Sequence, residues 1–192
     1  MDGKLKRQLE LQAYKMRKLA LQTIETAGSG HIGGSFSIAE ILSVLYFDEM
    51  NVDVNEPKKI DRDRLVLSKG HCSPSLYTAL AMKGFFKPEH LATFRKIGSD
   101  LSGHVEIHVP GVDMSGGSLG QGLSVALGMA MYGQSRKLGY RVFCIMGDGE
   151  IQEGQIWEAA MAAGFYRVDN LIAFVDNNKL QLDGSLEEVM SP

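Results

Sequence analysis

An α/β fold, with helices on both faces of a mainly parallel sheet in three layers, is what the sequence predicts, and three observations predict it. Short runs that are apolar almost throughout, RLVLS at 64–68, RVFCIM at 141–146 and NLIAFV at 170–175, read as strands buried on both faces. Stretches of helical periodicity separate them, which is the alternation of a covered parallel sheet. The 22 glycines among 192 residues are spread through patterned sequence rather than gathered in low-complexity tracts, and so mark loops that approach a ligand closely.

In chain order, KLKRQLELQAYKMRKLALQTIE reads as an amphipathic helix with a solvated basic face. The loop AGSGHIGGS follows, and Ser37 with Glu40 three residues later predicts a capping box opening the helix SIAEILSVLYFDEM. A loop containing Pro57 leads to the first strand, then to the loop KGHCSP and a helix near Ser75 to Lys83. Pro88 can begin a short helix at PEHLATFRKIG. A Gly-rich turn, MSGGSLGQG, runs into LSVALGMAMYGQSRKLG, whose small residues predict a helix packed closely on a neighbour. Strand RVFCIM, loop GDGE, helix IQEGQIWEAAMAAGF and strand NLIAFV complete a βαβ unit.

Composition excludes several functions. A net charge of −3 leaves no basic footprint for nucleic acid. The basic N-terminal stretch alternates Leu5, Leu9, Tyr14, Met16, Leu19 and Leu21 with charge, so it is neither a membrane span nor a signal peptide. Cys72 and Cys144 lie far apart without CxxC spacing, which implies neither a zinc site nor a disulfide framework and fits the cytoplasm. Residues 1–192 read as one globular domain.

The chemistry concentrates at two strand ends. In open parallel sheets ligands sit beyond the carboxyl ends of strands, and GDGE (147–150) and DNNK (176–179) close two successive strands. Gly147 and Gly149 let the main chain come close, the following helix would aim free N–H groups at an anion, and Asp148 supplies one hard carboxylate. One carboxylate and an Asn amide oxygen are too few for a calcium cage, but they suit Mg²⁺ completed by phosphate oxygens and water. A glycine-flanked aspartate alone is also an ordinary turn. The pair at βαβ spacing is what points to a magnesium diphosphate.

GDG followed by an asparagine thirty residues after the aspartate resembles the thiamine diphosphate fingerprint, and GDGEIQEGQIWEAAMAAG with FVDNNKLQLDG resembles transketolase, specifically an N-terminal half made as a separate subunit. The motifs SGHIGG, LSKGH, SGHVE and GGSLGQG follow in family order, so the resemblance spans nearly the whole chain. It implies the thiamine diphosphate-binding fold, here its diphosphate-binding domain, with thiamine diphosphate and Mg²⁺ as cofactors and Ca²⁺ or Mn²⁺ as substitutes for the metal. By resemblance, Asp148, the Asn178 side chain and the Leu180 carbonyl hold the metal. Gly147, Gly149 and His71 meet the diphosphate, and Gly117 and Leu119 the aminopyrimidine ring. His31 and His104 touch sugar hydroxyls and assist proton movement. Glu153 and Glu158 match glutamates buried at a subunit interface, where they connect paired active sites; without that match they are a helix N-terminal carboxylate and a surface acid. His90 and His108 match nothing and read as surface residues, and Cys72 as packing.

The resemblance also implies what is missing. The glutamate that protonates the aminopyrimidine belongs to a pyrimidine-binding domain that nothing in these 192 residues matches. The expected partner is therefore a C-terminal subunit carrying that domain, in a homodimer or an assembly of two of each, acting on sugar phosphates. The chain stops at EEVMSP, where the related half continues through further strand and helix units and another diphosphate-contacting histidine, so the domain reads as shortened at its C-terminus. Subunits of 2-oxo acid dehydrogenase or deoxyxylulose phosphate synthase type, and a non-catalytic binding or scaffold remnant, stay as alternatives.

Overall fold

Three parallel strands, β1 (Arg64–Leu67), β2 (Val142–Gly147) and β3 (Leu171–Asp176), form the sheet in the order β1-β2-β3, as a computed structural model describes for residues 2–181 and 184–190. The registers Arg64↔Val142 and Val142↔Leu171 bring the carboxyl ends of all three strands to one edge. Strand β2 is buried along Val142–Met146, as a central strand of apolar residues must be. Strand β3 departs from the expected burial: Leu171, Ile172 and Phe174 are half-buried, and Ala173 and Val175 are exposed. Asp63 locks the opposite end of the sheet, accepting from the Arg141 backbone N–H at 2.7 Å and from its guanidinium at 2.8 Å.

The chain divides into two compact units, one from residues up to Lys59 together with His71–Ser115, the other from Ile60–Gly70 and the chain from Gly116 onward. The first unit is helical. Helix α1 (Gly3–Ala27) buries Leu9, Ala13, Met16, Ala20, Thr23 and Ile24, the one-face stripe of a 3.6-residue period, against α2 (Ile32–Ser37), α3 (Ala39–Val44) and α4 (Ser73–Lys83). Part of the expected Gly-rich loop is thus helical, and the capping box does not form. The Arg17 guanidinium takes both Glu40 carboxylate oxygens, at 2.6 and 2.5 Å, and Ser37 Oγ donates to the Gly34 carbonyl instead. An ion pair outcompetes a single backbone cap for that carboxylate. The helix read at PEHLATFRKIG is one short 3₁₀ stretch, Pro88–Thr93, after which Arg95 takes a left-handed φ of 59°.

The second unit holds the sheet, with α5 (Gly122–Arg136) lying on it and α6 (Gly154–Phe165) packed on α5. Gly122 begins α5 where a Cβ would come within 2.3 Å of Ser68 Oγ, so only glycine lets this helix start against the end of β1. The helix expected directly after GDG starts late. A 3₁₀ turn, Glu150–Gln152, and an extended Glu153 intervene, because the Glu150 carboxylate folds back onto the Gly147 N–H at 3.0 Å. Two residues of β4 (Leu180–Gln181) then pair antiparallel with β5 (Gly184–Ser185), and α7 (Leu186–Val189) closes the described chain. Leu182 and Asp183 of the LQLDG motif, and the terminal SP of EEVMSP, lie outside the described residues.

Candidate functional site

The register Gly147↔Asp176 puts GDGE and DNNK side by side, and their contacts join them further. The Asp148 N–H donates to the Asp176 carbonyl at 3.2 Å. Asp148, buried to 4%, accepts from the Gly149 N–H through Oδ1 at 2.9 Å and from the Lys179 N–H through Oδ2 at 2.7 Å. Asn178 Oδ1 accepts from the Leu180 N–H at 2.9 Å, while its Nδ2 donates to Asp176 Oδ2 at 3.3 Å. These bonds fix the side chains and leave a lone pair on each oxygen. The donor set of one carboxylate, one amide oxygen and the Leu180 carbonyl is hard and fits Mg²⁺ with water and phosphate oxygens completing its shell. Among the described residues no three His, Cys, Asp or Glu gather in a metal-holding group, so a cation here relies on the amide and carbonyl oxygens beside Asp148.

Residues that sequence reasoning did not single out hold this edge together. Glu150, 3% exposed, accepts from the Gly120 N–H at 2.9 Å and from Ser68 Oγ, and Ser68 Oγ accepts in turn from the Gly122 N–H at 3.1 Å. One buried carboxylate thereby ties the Gly-rich loop 114–122 to the ends of β1 and β2. Lys69 and Asp176 form an ion pair at 2.5 Å with both side chains buried. The available signal was a charge placed directly at the end of an apolar run, in LSK and in FVD.

Gly117 and Leu119 lie in that same loop, exposed, and the backbone of Gly70 supports it, since a Cβ there would meet the Gly116 carbonyl carbon at 2.9 Å. Glu153 caps α6 without a side-chain hydrogen bond and lies over Gly120. Glu158 is not drawn into the cluster; it is exposed on α6.

In the helical unit, the three singled-out histidines do gather. The His31 ring meets His71 edge-on with centroids 5.1 Å apart and His104 at 6.2 Å. The Arg95 side chain lies against Gly103, where a Cβ would come within 2.5 Å of Nε. Burial, and then the charges of Arg95 and His104, push the His31 pKa below its ordinary 6.5. His31 is therefore neutral at pH 7 and able to accept a proton. His90 is paired with Asp100 at 2.6 Å, and His108 belongs to neither cluster.

A family profile described as "Transketolase, thiamine diphosphate binding domain" matches residues 9–191. The chain is 50% identical over 183 residues to one subunit of the apulose-4-phosphate transketolase of Phocaeicola vulgatus, covering 95% of this chain and 65% of that protein. It is 52% identical over 182 residues to the 6-deoxy-6-sulfo-D-fructose transketolase subunit SqwG of a Clostridium species, covering 94% and 66%. The chain thus spans just under two thirds of each of these relatives. Among solved structures, transketolase from Campylobacter jejuni superposes with a TM-score of 0.91 at 34% identity, over 100% of this chain and 31% of that one. Transketolase from Leishmania mexicana superposes at 0.90 with 32% identity, over 96% and 29%.

Proposed function

Because the chain belongs to the transketolase family through its thiamine diphosphate binding domain, we propose that it is the diphosphate-holding part of a two-part transketolase, transferring a two-carbon ketol unit from a ketose phosphate to an aldose phosphate. The observation that carries this reading is the meeting of GDGE and DNNK at the ends of adjacent parallel strands, where Asp148 accepts from the Lys179 N–H next to Asn178. Thiamine diphosphate, when bound, supplies the carbon nucleophile and electron sink for such transfer.

The protein's own share is holding and proton movement. Asp148, Asn178 Oδ1 and the Leu180 carbonyl hold Mg²⁺, which neutralises the diphosphate. The Gly149 N–H and His71 meet the diphosphate, with Gly147 giving the main chain room to approach. Gly117 and Leu119 line the aminopyrimidine through their backbone. Neutral His31, with His104, takes up and returns protons at sugar hydroxyls, which a permanently charged group could not do. Glu153 and Glu158 act at a subunit interface rather than on substrate. The partner is a C-terminal subunit bringing the pyrimidine-binding domain and its activating glutamate, a reading supported by the "subunit" names of the two relatives. The two buried cysteines, neither in a disulfide, fit the cytoplasm, and no helix among the described residues is long and apolar enough to cross a membrane.

Calorimetric titration of thiamine diphosphate with Mg²⁺ tests the reading. Asp148→Ala is expected to weaken binding at least a hundredfold while the chain stays folded by circular dichroism, and removing Mg²⁺ with EDTA should do the same to the unaltered chain. Equal affinity in Asp148→Ala sinks the metal assignment. Robust ketol transfer by the rigorously purified chain alone sinks the two-part reading.

A further inference from the structure

Lys69 follows β1 and Asp176 ends β3, so their ion pair, 2.5 Å long with 2% and 8% of the side chains exposed, reaches across the end of the central strand β2. Stability is a weak reason for such a pair. Taking both charges out of water offsets much of their attraction, and well-packed apolar side chains often serve as well or better. What sets this pair apart is its third member. Asp176 Oδ2, the oxygen that accepts from Lys69 Nζ, also accepts from Asn178 Nδ2 at 3.3 Å. The other end of that amide, Oδ1, accepts from the Leu180 N–H at 2.9 Å. A primary amide keeps nearly the same shape when its oxygen and nitrogen change places, so its partners decide which way it points. Exchange here would set Nδ2 against the Leu180 N–H and Oδ1 against a carboxylate, and both contacts would turn repulsive. Lys69 offsets the charge of that carboxylate. Asp176 is thereby held as an acceptor for Asn178 rather than left to draw a cation away from Asp148.

We propose that Lys69 and Asp176 are positioning residues for Asn178, holding its amide in the orientation that leaves Oδ1 rather than Nδ2 available to the metal. The inference rests on the reading above in which Asn178 Oδ1 holds Mg²⁺. Groups that orient a metal ligand from behind typically carry about tenfold to a hundredfold in metal affinity.

The test compares two double variants on one background. Lys69→Met/Asp176→Asn keeps an acceptor for Asn178 Nδ2, whereas Lys69→Met/Asp176→Leu removes it. Mg²⁺ is titrated calorimetrically into each chain with saturating thiamine diphosphate, and urea unfolding is followed without metal or cofactor. The Asp176→Leu form is expected to bind Mg²⁺ about tenfold more weakly than the Asp176→Asn form, with similar urea midpoints. Affinities within twofold of each other overturn the inference alone. So does an affinity gap matched by a fall in the urea midpoint, which makes the pair merely structural. A second comparison needs no apolar replacement. Asn178→Asp sets a second carboxylate against Asp176, while Asn178→Asp/Asp176→Asn exchanges the two residues and restores a donor between them, so the exchanged form should bind Mg²⁺ about tenfold more tightly. Equal Mg²⁺ affinity in these two overturns the inference whether or not the Asp176→Leu form folds. Failure of the unaltered protein to bind Mg²⁺ with thiamine diphosphate overturns the functional reading and this inference with it.

Discussion

At the ends of β1, β2 and β3 the buried charges Lys69, Glu150 and Asp176 each meet partners within one unit of the chain, whereas along α6 Trp157, Met161 and Phe165 stand at helical spacing with 55%, 68% and 79% of their surface exposed, and Glu158 lies among them. The opposite face of the same helix packs Ile156 and Ala159 inward. The strand ends therefore form a set of polar contacts completed by the chain itself, while α6 presents an apolar face that the chain leaves uncovered. Damage to the first should register in the isolated chain. Damage to the second should register only in company.

The largest effect is expected from Lys69→Met. It leaves the buried Asp176 carboxylate without its charge partner, and breaking such a pair on one side costs about 3–5 kcal/mol. Urea unfolding should show the loss, and adding Asp176→Asn to Lys69→Met should recover a good part of it. If both variants unfold with the unaltered midpoint, the charges at the strand ends are not mutually dependent and the contrast with α6 collapses.

A smaller stability effect but a clear assembly effect is expected on α6. Met161→Glu and Phe165→Glu replace exposed apolar side chains, so unfolding of the chain should shift by no more than about 0.5 kcal/mol. Under the two-part reading, sedimentation should show weakened association of chain copies or with the C-terminal subunit. Should the isolated chain lose much stability, this face is already covered.

The smallest effect concerns the histidines. With its folded pKa depressed below 6.5, His31 binds fewer protons folded than unfolded as pH drops through that region. Its contribution is present above pH 6.5 and is lost as pH falls toward the depressed value. Because His31 is largely exposed, the change in stability is slight, and an NMR titration of the ring is the sharper measurement. The midpoint should lie below 6.5 and rise part of the way back in Arg95→Met. A midpoint indifferent to Arg95 would leave burial and His104 as the causes.

The strands, and the meeting of GDGE with DNNK at their ends, were legible because an apolar run and a motif at its end are local patterns. Lys69, Ser68 and Glu150 were not, since their partners lie 107 and 82 residues away along the chain, and no window of sequence contains both ends. The capping box at Ser37 failed for the same reason: Arg17, 23 residues distant, claims Glu40. The delayed start of α6 came from the tertiary bonds of Glu150, which favour a 3₁₀ turn over the helix that local propensity predicts. The roles of Gly117, Leu119 and the histidines came through motif resemblance, and the gathering of the three rings required the folded chain.

The parallel pairing of β1 with β2 also sets a timetable. Asp63 and Arg141, which lock that pairing, are 78 residues apart, so a ribosome adding about 5–20 residues per second leaves RLVL without its neighbour for on the order of ten seconds. Strands β2 and β3, separated only by α6, close their own ladder soon after emerging, and β1 must then join at the free side of β2. Arg62 and Asp63 immediately precede this segment, Arg64 opens it, and Lys69 follows shortly after it. Such charges act as gatekeepers, keeping the waiting strand from adding to the edge of another nascent chain.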